Sequence, residues 1–598
     1  MICLWFIITA LIFTTFATDG HAQGIRDQER VAIAYEQAGD WRNAARLWQE
    51  MLSQQPTNPR YLVGALRSLK MLGQTEAIVQ LVKSSAPEAR SWESLAYYGY
   101  ALWRMGQEQQ ATSAWDQSLE QIPGQQEPFY RTIASLQLDA GARALAARTF
   151  RIGRQKIGRA DLFSEDLAQL AIAAREANAA LDEIFLHFRT TQNLSRTQGY
   201  IATLLSMDGT AKIVRERVKQ FAKENDSWPL ALRLYEWTLR ELGEYRTALD
   251  VVIRLERLTG QSGRELYAFA ERARTEGALD VALDAYRALQ TLNVPIDIRT
   301  MALFGRAQAI EQRMLSSRIK SQNELEQLKK EYETIAREFP THPLAATALL
   351  RIAQLERDYG SDTRGALHYF DVLAERYPAT EQAARGLLER LPLIVELYGL
   401  DSAVALFEHD LPRISSHASL RLQAAYTRGE LDFFRCRFGS ALAYYQQATA
   451  NLDDPIANDA IERVTLLTSN KEDSLWLCVL AQAERAFYQR KFELGFRLVD
   501  SLAAMPSDIA EQALLHAASI ALDQGIDSTS SRYWNMLLTQ YPETLYGDRI
   551  LWGLAIIAQR SGNTEEALSL YNQLLARYPN SILVPQTRSQ IRMLRGQM

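Results

Sequence analysis

The sequence predicts an all-α solenoid of about fifteen helical hairpins, and three regularities carry that prediction. A small residue followed four positions later by a large apolar one, as in Ala44 and Trp48, recurs every 33 to 35 residues over the first half of the chain. A glycine stands five residues before nearly every copy. Towards the carboxyl end, units close with an aromatic residue followed by proline. Almost no segment shows the two-residue alternation of a β-strand.

The composition limits the classes of partner. The 598 residues are 47% apolar, which supplies ample material for a core. Basic and acidic residues number 66 and 71, giving a formal charge of −5. No general attraction to nucleic acid or to an anionic membrane follows from this balance.

Residues 1–22 are typical of a secretory signal peptide. The segment is apolar from Ile2 to Ala17 and then turns small and polar at Gly20 to Ala22, where cleavage is expected. Gln23 follows instead of the cysteine that a bacterial lipoprotein would carry. We expect a periplasmic protein; the alternative is an uncleaved anchor in the inner membrane, facing the periplasm.

Residues 23–296 form the first predicted array, with eight units of about 34 residues. The small position is occupied by Ala44, Ile78, Ala111, Ala146, Ala180, Val214, Ala248 and Ala282. The preceding glycines are Gly39, Gly73, Gly106, Gly141, Gly209, Gly243 and Gly277, and Arg175 replaces the glycine in the fifth unit. The glycine suits a tight turn with positive φ, and the small residue lets two helices approach while the large one fills the space between them. Each period is therefore predicted to be one helix–turn–helix.

The segment LAYYGYALWRMGQEQQATSAWDQSLEQIPG, Leu95 to Gly124, resembles a tetratricopeptide repeat, with Gly99, Gly106, Trp115 and Pro123 at the expected places. In that family a single hairpin cannot bury its apolar face, so stacking creates the core. The resemblance implies a right-handed superhelix with a concave groove.

Residues 297–598 form a second predicted array, with units of 35 to 54 residues. Its small positions are Leu328, Ala366, Ala403, Ala441, Gly495, Ser530 and Ala567. Two long helices are predicted in the step that follows Gln290, and an additional helix at 457–470. The aromatic–proline pairs here are Phe339-Pro340, Tyr377-Pro378, Tyr541-Pro542 and Tyr578-Pro579. Because proline disfavours helical geometry in the residue before it, each pair predicts a helix end, and Thr380, Thr544 and Ser581 are predicted to cap the next helix.

These later copies resemble repeats of bacterial envelope proteins, namely the tetratricopeptide-repeat lipoprotein of the outer-membrane barrel-assembly machine and the periplasmic partner of the Tol-Pal system. This chain is much longer than either and lacks the lipidated cysteine. The resemblance therefore implies a related role only by analogy.

No pattern of catalytic or metal-binding residues stands out. The histidines lack metal-ligand spacing, and the glycines follow the repeat instead of forming a phosphate-binding loop. We predict no enzymatic activity, no cofactor and no metal. Cys436 and Cys478 are predicted to remain unbonded, because they fall at opposite ends of a helix about 20 Å long, whereas a disulfide tolerates about 7 Å between Cα atoms.

Two sets of residues are candidates for binding. The stripe of the first helices that would face the groove contains Tyr100, Trp103, Arg233, Trp237, Arg240, Arg549 and Trp552. Tryptophan, tyrosine and arginine dominate interface hot spots, although such residues can equally pack against the next hairpin. A basic run that contains Arg143, Arg148, Arg151, Arg154 and Arg159 is the second candidate, for an anionic partner. The simpler interpretation of this run is a solvated helix face.

We therefore expect a protein-binding scaffold of the bacterial envelope that takes partner segments along its groove. One alternative is an accessory subunit at the periphery of an outer-membrane assembly or secretion machine. Another is a peptidoglycan- or polysaccharide-binding component, for which the basic run is the support. No nucleic-acid partner is expected.

Overall fold

The computed structural model describes residues 27–316, 322–360, 362–504 and 507–596, and every regular element in these ranges is a helix. The chain divides into two compact units, Met1–Gln261 and Ser262–Met598. The predicted signal peptide, residues 1–22, lies outside the described residues.

The first unit contains seven hairpins. Its helices are α1 (27–37), α2 (Trp41–Gln54), α3 (Pro59–Met71), α4 (Thr75–Ser84), α5 (Trp92–Arg104), α6 (Glu108–Glu120), α7 (Glu127–Ala140), α8 (Arg143–Ile157), α9 (Ser164–Ala173), α10 (Ala177–Thr191), α11 (Leu194–Leu205), α12 (Ala211–Glu224), α13 (Pro229–Glu241) and α14 (Tyr245–Thr259).

The described part of the second unit contains eight hairpins and three further helices, α22, α26 and α33. Its helices are α15 (Arg264–Thr275), α16 (Leu279–Gln290), α17 (Ile296–Ser316), α18 (Gln322–Glu338), α19 (Pro343–Tyr359), α20 (Thr363–Arg376), α21 (Glu381–Glu389), α22 (Leu391–Tyr398), α23 (Leu400–Ser415), α24 (Arg421–Phe434), α25 (Phe438–Ala448), α26 (Ile456–Ser469), α27 (Ser474–Tyr488), α28 (Phe492–Ala503), α29 (Asp508–Asp523), α30 (Asp527–Gln540), α31 (Gly547–Arg560), α32 (Thr564–Arg577) and α33 (Val584–Gly596). The two predicted long helices are α17 and α18, and the predicted additional helix is α26.

The predicted repeat register is confirmed along both units. Every small-position residue from Ala44 to Ala567 is buried, and the large residue four positions later is at most 3% exposed. All seven predicted turn glycines have positive φ, and Arg175, which stands at the turn position of the fifth unit, adopts the same conformation with φ of 60°. The hairpin thus imposes the positive φ at this turn position, even where the residue is not glycine.

Close contact between helices depends on small residues that face aromatic rings. In the hairpin of α24 and α25, a Cβ atom on Gly429 would lie 2.6 Å from a ring carbon of Tyr445. The same relation holds in the third hairpin, where a Cβ atom on Gly99 would lie 2.6 Å from the indole nitrogen of Trp115. A methyl group at either position would push the two helices apart.

The aromatic–proline pairs end helices and also fasten neighbouring hairpins. Helices α20, α30 and α32 each end one residue before the tyrosine of a pair. The Tyr541 hydroxyl donates to the carbonyl of Ser507 and accepts from its amide, both at 3.0 Å, and the Tyr377 hydroxyl donates to the carbonyl of Pro340 at 2.9 Å. Each of these two tyrosines therefore reaches the loop that ends the hairpin before its own.

Of the three predicted caps, the structure confirms Thr380, whose hydroxyl accepts from the Ala383 amide at 3.2 Å and caps α21. Thr544 does not cap α31, which begins after Tyr546 with no side-chain cap. The hydroxyls of Thr544 and Ser581 instead accept from the amides two residues later, at 3.2 and 3.1 Å, and close turns just before α31 and α33 begin.

The prediction that Cys436 and Cys478 remain unbonded is wrong. The two residues form a disulfide, and their Cα atoms are 5.2 Å apart. The reason is α26. Two helices per unit return the chain to its starting direction, whereas the third helix reverses it, so α27 runs antiparallel to α24. The start of α27, with Cys478, therefore meets Cys436 just past the end of α24.

Gly429→Ala tests the close helix contact. We expect the variant to lose about 1–3 kcal/mol of unfolding free energy, because its methyl group would overlap the buried Tyr445 ring. The matched control is Gly439→Ala on α25 of the same hairpin, where a Cβ atom would meet nothing within 4 Å. That variant should gain about 0.5–1 kcal/mol, since alanine favours the helix. Urea unfolding measures both, and equal stability of the two variants would contradict the packing described.

Candidate functional site

The groove residues predicted in the third hairpin pack against their neighbours. Tyr100 is 9% exposed, and the Lys70 ammonium lies 5.4 Å from the centre of its ring. Trp103 is half-buried against Trp115, with ring centres 5.7 Å apart. These two aromatic side chains serve the core of the first unit.

The other predicted groove residues lie on α13 and α31. Arg233, Trp237 and Arg240 are all half-buried, and the Arg240 guanidinium donates to the Glu236 carboxylate at 2.6 Å. Trp552 packs on Tyr571, with ring centres 5.4 Å apart. Arg549 is exposed and lines a cleft beside α26. A binding role for this set stays a prediction.

The basic run on and after α8 is largely neutralised by acidic neighbours. Arg148 pairs with Asp116 at 2.7 Å, and Arg159 pairs with Asp161 at 2.6 Å. Arg154 binds both carboxylate oxygens of Glu183, at 2.9 and 2.6 Å. Arg143 and Arg151 are exposed and form no ion pair with the described residues. The free positive charge of this face is therefore smaller than the sequence suggests.

A cleft opens in the second unit beside the inserted helix α26, and we call it the α26 cleft. Its outer part is a cavity of about 520 Å³, and its inner part is an adjoining cavity of about 200 Å³. The two parts share the side chains of Glu462, Leu466 and Gln512. The walls come from α24, α26, α27, α29 and α31 and from the loop 541–546.

The outer part combines carboxylates with apolar surface. Its carboxylates are Glu462, Asp508, Glu511 and Glu543, and its apolar side chains are Leu466, Tyr541, Pro542, Leu545 and Tyr546. The loop is held in place by the hydrogen bonds between Tyr541 and Ser507. Leu545 within it is 90% exposed. The outer part therefore presents an apolar surface with a negatively charged rim.

Glu462 is the carboxylate with defined partners in the outer part. It accepts from the Gln512 amide at 2.8 Å and from the Tyr546 hydroxyl at 3.2 Å. Burial first, and then the charge of Glu462, raise the pKa of Tyr546 to about 12. The phenol thus remains a neutral donor that fixes the orientation of Glu462.

The inner part is built on a buried charge network. The Arg463 guanidinium on α26 donates to both oxygens of Glu430 on α24, at 2.8 and 3.0 Å. It also donates to both oxygens of Glu484 on α27, at 3.1 and 2.6 Å. Tyr445 donates to Glu430 at 2.6 Å, and a His516 ring nitrogen lies 3.3 Å from Glu484. The network joins the inserted helix to the hairpins on both sides.

Of the residues that line this cleft, the sequence prediction named only Arg549 as a binding candidate, as part of a groove-facing stripe on α31. The available signal was the 54-residue step between Ala441 and Gly495, which departs from the repeat and contains α26. Over the described ranges, no group of three histidine, cysteine, aspartate or glutamate side chains is arranged to hold a metal ion. No helix among these residues is both long and apolar enough to span a membrane.

Acid should weaken the network through Glu484. Burial acts to raise the pKa of this carboxyl, but the charge of Arg463 and the contact with His516 outweigh burial and lower it to about 2. A group whose folded pKa is depressed stabilises the fold above its ordinary pKa, near 4.5, and loses that contribution as the pH falls towards 2. We expect the unfolding free energy to decline between about pH 5 and pH 2, and Glu484→Gln to flatten this decline.

The matched control for this measurement is Glu472→Gln, at an exposed position just after α26. Urea unfolding at a series of pH values should give this variant the wild-type pH dependence. An unchanged slope in Glu484→Gln would show that the network contributes nothing to acid sensitivity.

Comparisons with known proteins agree with the repeat. A family model described as tetratricopeptide repeat matches residues 550–581, and no curated protein sequence matches the chain significantly. Among solved structures, Naa15/Naa10 bound to HypK-THB is similar at 14% identity and a TM-score of 0.24, over 95% of this chain and 96% of that one. A tetratricopeptide repeat protein from Parabacteroides merdae is similar at 14% identity and a TM-score of 0.22, over 50% and 98%.

The TPR domain of P58(IPK) is similar at 12% identity and a TM-score of 0.18, over 68% of this chain and 99% of that one. At such identities and TM-scores, these likenesses bear on neither partner nor activity. The family match spans α31, α32 and the Tyr578-Pro579 pair, and the same hairpin recurs through both units. The segment 550–581 is thus similar to a tetratricopeptide repeat, and the other hairpins share its register of buried positions.

Proposed function

We propose that this protein is a non-enzymatic scaffold that holds a segment of a partner protein in the α26 cleft. The observation that carries the proposal is the outer cavity of about 520 Å³, with the exposed Leu545 at its edge. Its volume falls within the range of ligand sites, about 300–1,000 Å³. An apolar floor with a polar rim is the composition of a protein interface.

The inner part supports binding better than catalysis. Arg463 is occupied by two carboxylates, and Glu430 also accepts from Tyr445, so these groups are committed to holding the helices together. The charges define one wall of the cleft and keep the inserted helix in place. This division leaves the outer part as the surface that a partner would contact.

We place the scaffold in the bacterial periplasm. The disulfide between Cys436 and Cys478 supports an oxidising compartment, and the apolar segment from Ile2 to Ala17 supports export. A role beside an outer-membrane assembly machine would suit such a scaffold. The polysaccharide-binding alternative depends on Arg143 and Arg151, because acidic neighbours pair with the other three arginines of the basic run.

Site-specific photocrosslinking in the cells that make the protein tests the binding proposal. A photoreactive phenylalanine analogue in place of Leu545 should give discrete adducts with another protein. Leu452 is 72% exposed and lies just before the first residue of α26. The same analogue in place of Leu452 should give no adduct. Adducts at neither position, or equally at both, would contradict the proposal.

A pair of blocking variants makes this experiment specific to the cleft. Thr465→Trp fills the outer part from α26, and we expect it to abolish the Leu545 adduct. Thr468→Trp places the same bulk at another exposed position of the same helix, outside the residues that line the cleft, and should leave the adduct intact. Adducts that persist in Thr465→Trp would show that Leu545 contacts its partner outside the cleft.

A further inference from the structure

We infer that the outer part of the α26 cleft takes a protein segment that carries lysine or arginine next to a large apolar residue. This inference depends on the proposed binding function and adds the chemistry of the bound segment. It follows from the charge of the rim, from the absence of compensating cations and from the apolar surface that the rim encloses.

The rim carries four carboxylates and no lining cation. Among the described residues that line the outer part, none is lysine, arginine or histidine. The carboxylates of the inner network, Glu430 and Glu484, are in contrast both paired with Arg463. Asp508 and Glu543 are exposed, and Glu462 and Glu511 are half-exposed. Like charges around one cavity repel each other, and a cationic ligand would relieve that repulsion.

Local structure accounts for part of this charge. Asp508 and Glu511 lie in the first turn of α29, where a negative charge favours the helix dipole. Glu462 is held by Gln512 and Tyr546. Glu543 follows Pro542 in an exposed loop and forms no hydrogen bond or ion pair with the described residues. Neither the helix dipole nor a hydrogen-bond partner therefore explains why Glu543 lies at the same cavity.

Neighbouring groups report the same negative environment. Burial first, and then the charges of Glu462 and Glu430, raise the pKa of Asp459 in the inner part, against the opposing effect of Arg463 and Arg549. The Arg549 guanidinium lies 5.6 Å from the ring centre of Tyr546, where the outer part meets the inner part. Arg549 thus lies at the boundary between the two parts and lines the inner part.

The apolar part of the site would hold the anchor of the bound segment. Leu545 is 90% exposed beside Tyr541, Pro542 and Tyr546, with Leu466 below. A single exposed leucine is ordinary on a protein surface, but this one borders a cavity with aromatic walls. A leucine, isoleucine or aromatic side chain entering from a partner would cover it.

The rim also decides which class of molecule is bound. Nucleic acid, anionic lipid and phosphorylated glycans carry negative charge and would be repelled by the four carboxylates. A protein segment supplies both the cation and the apolar anchor on adjacent residues. A polyamine would supply the charge alone and serves as a comparison.

Selection from a phage-displayed library of random peptides on the full-length protein tests the inference. We expect the enriched sequences to combine lysine or arginine with a large apolar residue. Fluorescence anisotropy of one enriched peptide should show affinity weakened about tenfold in the variant with Glu462→Gln, Asp508→Asn and Glu543→Gln, because three of the four rim carboxylates lose their charge. Enriched sequences without basic residues, or equal affinity for the variant, would overturn the inference.

The matched control neutralises three exposed carboxylates of the second unit away from the cleft, with Glu375→Gln, Glu493→Gln and Glu565→Gln. We expect this variant to bind the peptide as the wild type does. Spermine should compete weakly with the peptide. Competition as strong as that of the unlabelled peptide would show that positive charge alone suffices for binding. That result would overturn the inference that an apolar residue anchors the bound segment.

Photocrosslinking at Leu545 separates this inference from the proposed function. Suppose that Thr465→Trp abolishes the protein adduct and the carboxylate-neutralised variant retains it. The proposal of a binding scaffold would then stand, and the inference that the bound segment is basic would be overturned. The loss of every adduct, in the wild type as well, would overturn the scaffold itself.

Discussion

The structure depends on one repeated contact, in which a small residue on one helix lets a large side chain fill the space against the next helix. Fifteen register positions are buried, most of them alanine, and the large residues four positions later on the same helix are almost fully enclosed. At Gly99 and Gly429 the approach leaves no room for a methyl group. Because an isolated hairpin cannot bury its whole apolar face, neighbouring hairpins cover what remains exposed.

The inserted helix α26 changes the direction in which the next helix runs. Because α25 and α26 both lie between α24 and α27, where a regular unit has one helix, α27 returns antiparallel to α24. The reversal brings Cys478 to Cys436 and lets Arg463 reach carboxylates on both sides. It also separates the face of α26 from the regular stack, and the space beside this face is the α26 cleft. The inserted helix α26 is therefore the origin of both the reversal and the candidate binding cleft.

Local sequence patterns predicted the hairpins correctly, but they did not predict the direction in which a helix runs after an insertion. The 34-residue register, the turn glycines and the proline-pair helix ends each depend on a few neighbouring residues, so they could be predicted. The disulfide could not, since it depends on how many helices separate two turns. Tyr100 and Trp103 suit a binding stripe by type, but residue type does not reveal that Tyr100 packs beneath Lys70 of the preceding hairpin and that Trp103 packs on Trp115 of its own hairpin. The carboxylates of the cleft come from three distant segments that only the folded chain brings together.

Peptide mapping of the purified, unreduced protein tests this account most directly. Free thiols are first blocked by alkylation, and the protein is then digested and examined by mass spectrometry. We expect a disulfide-linked pair of peptides that contain Cys436 and Cys478 and that separate on reduction. Alkylation of both Cys436 and Cys478 would contradict the reversal at α26. The start of α27 would then not meet the end of α24, and the helices that form the walls of the α26 cleft would not be placed as described.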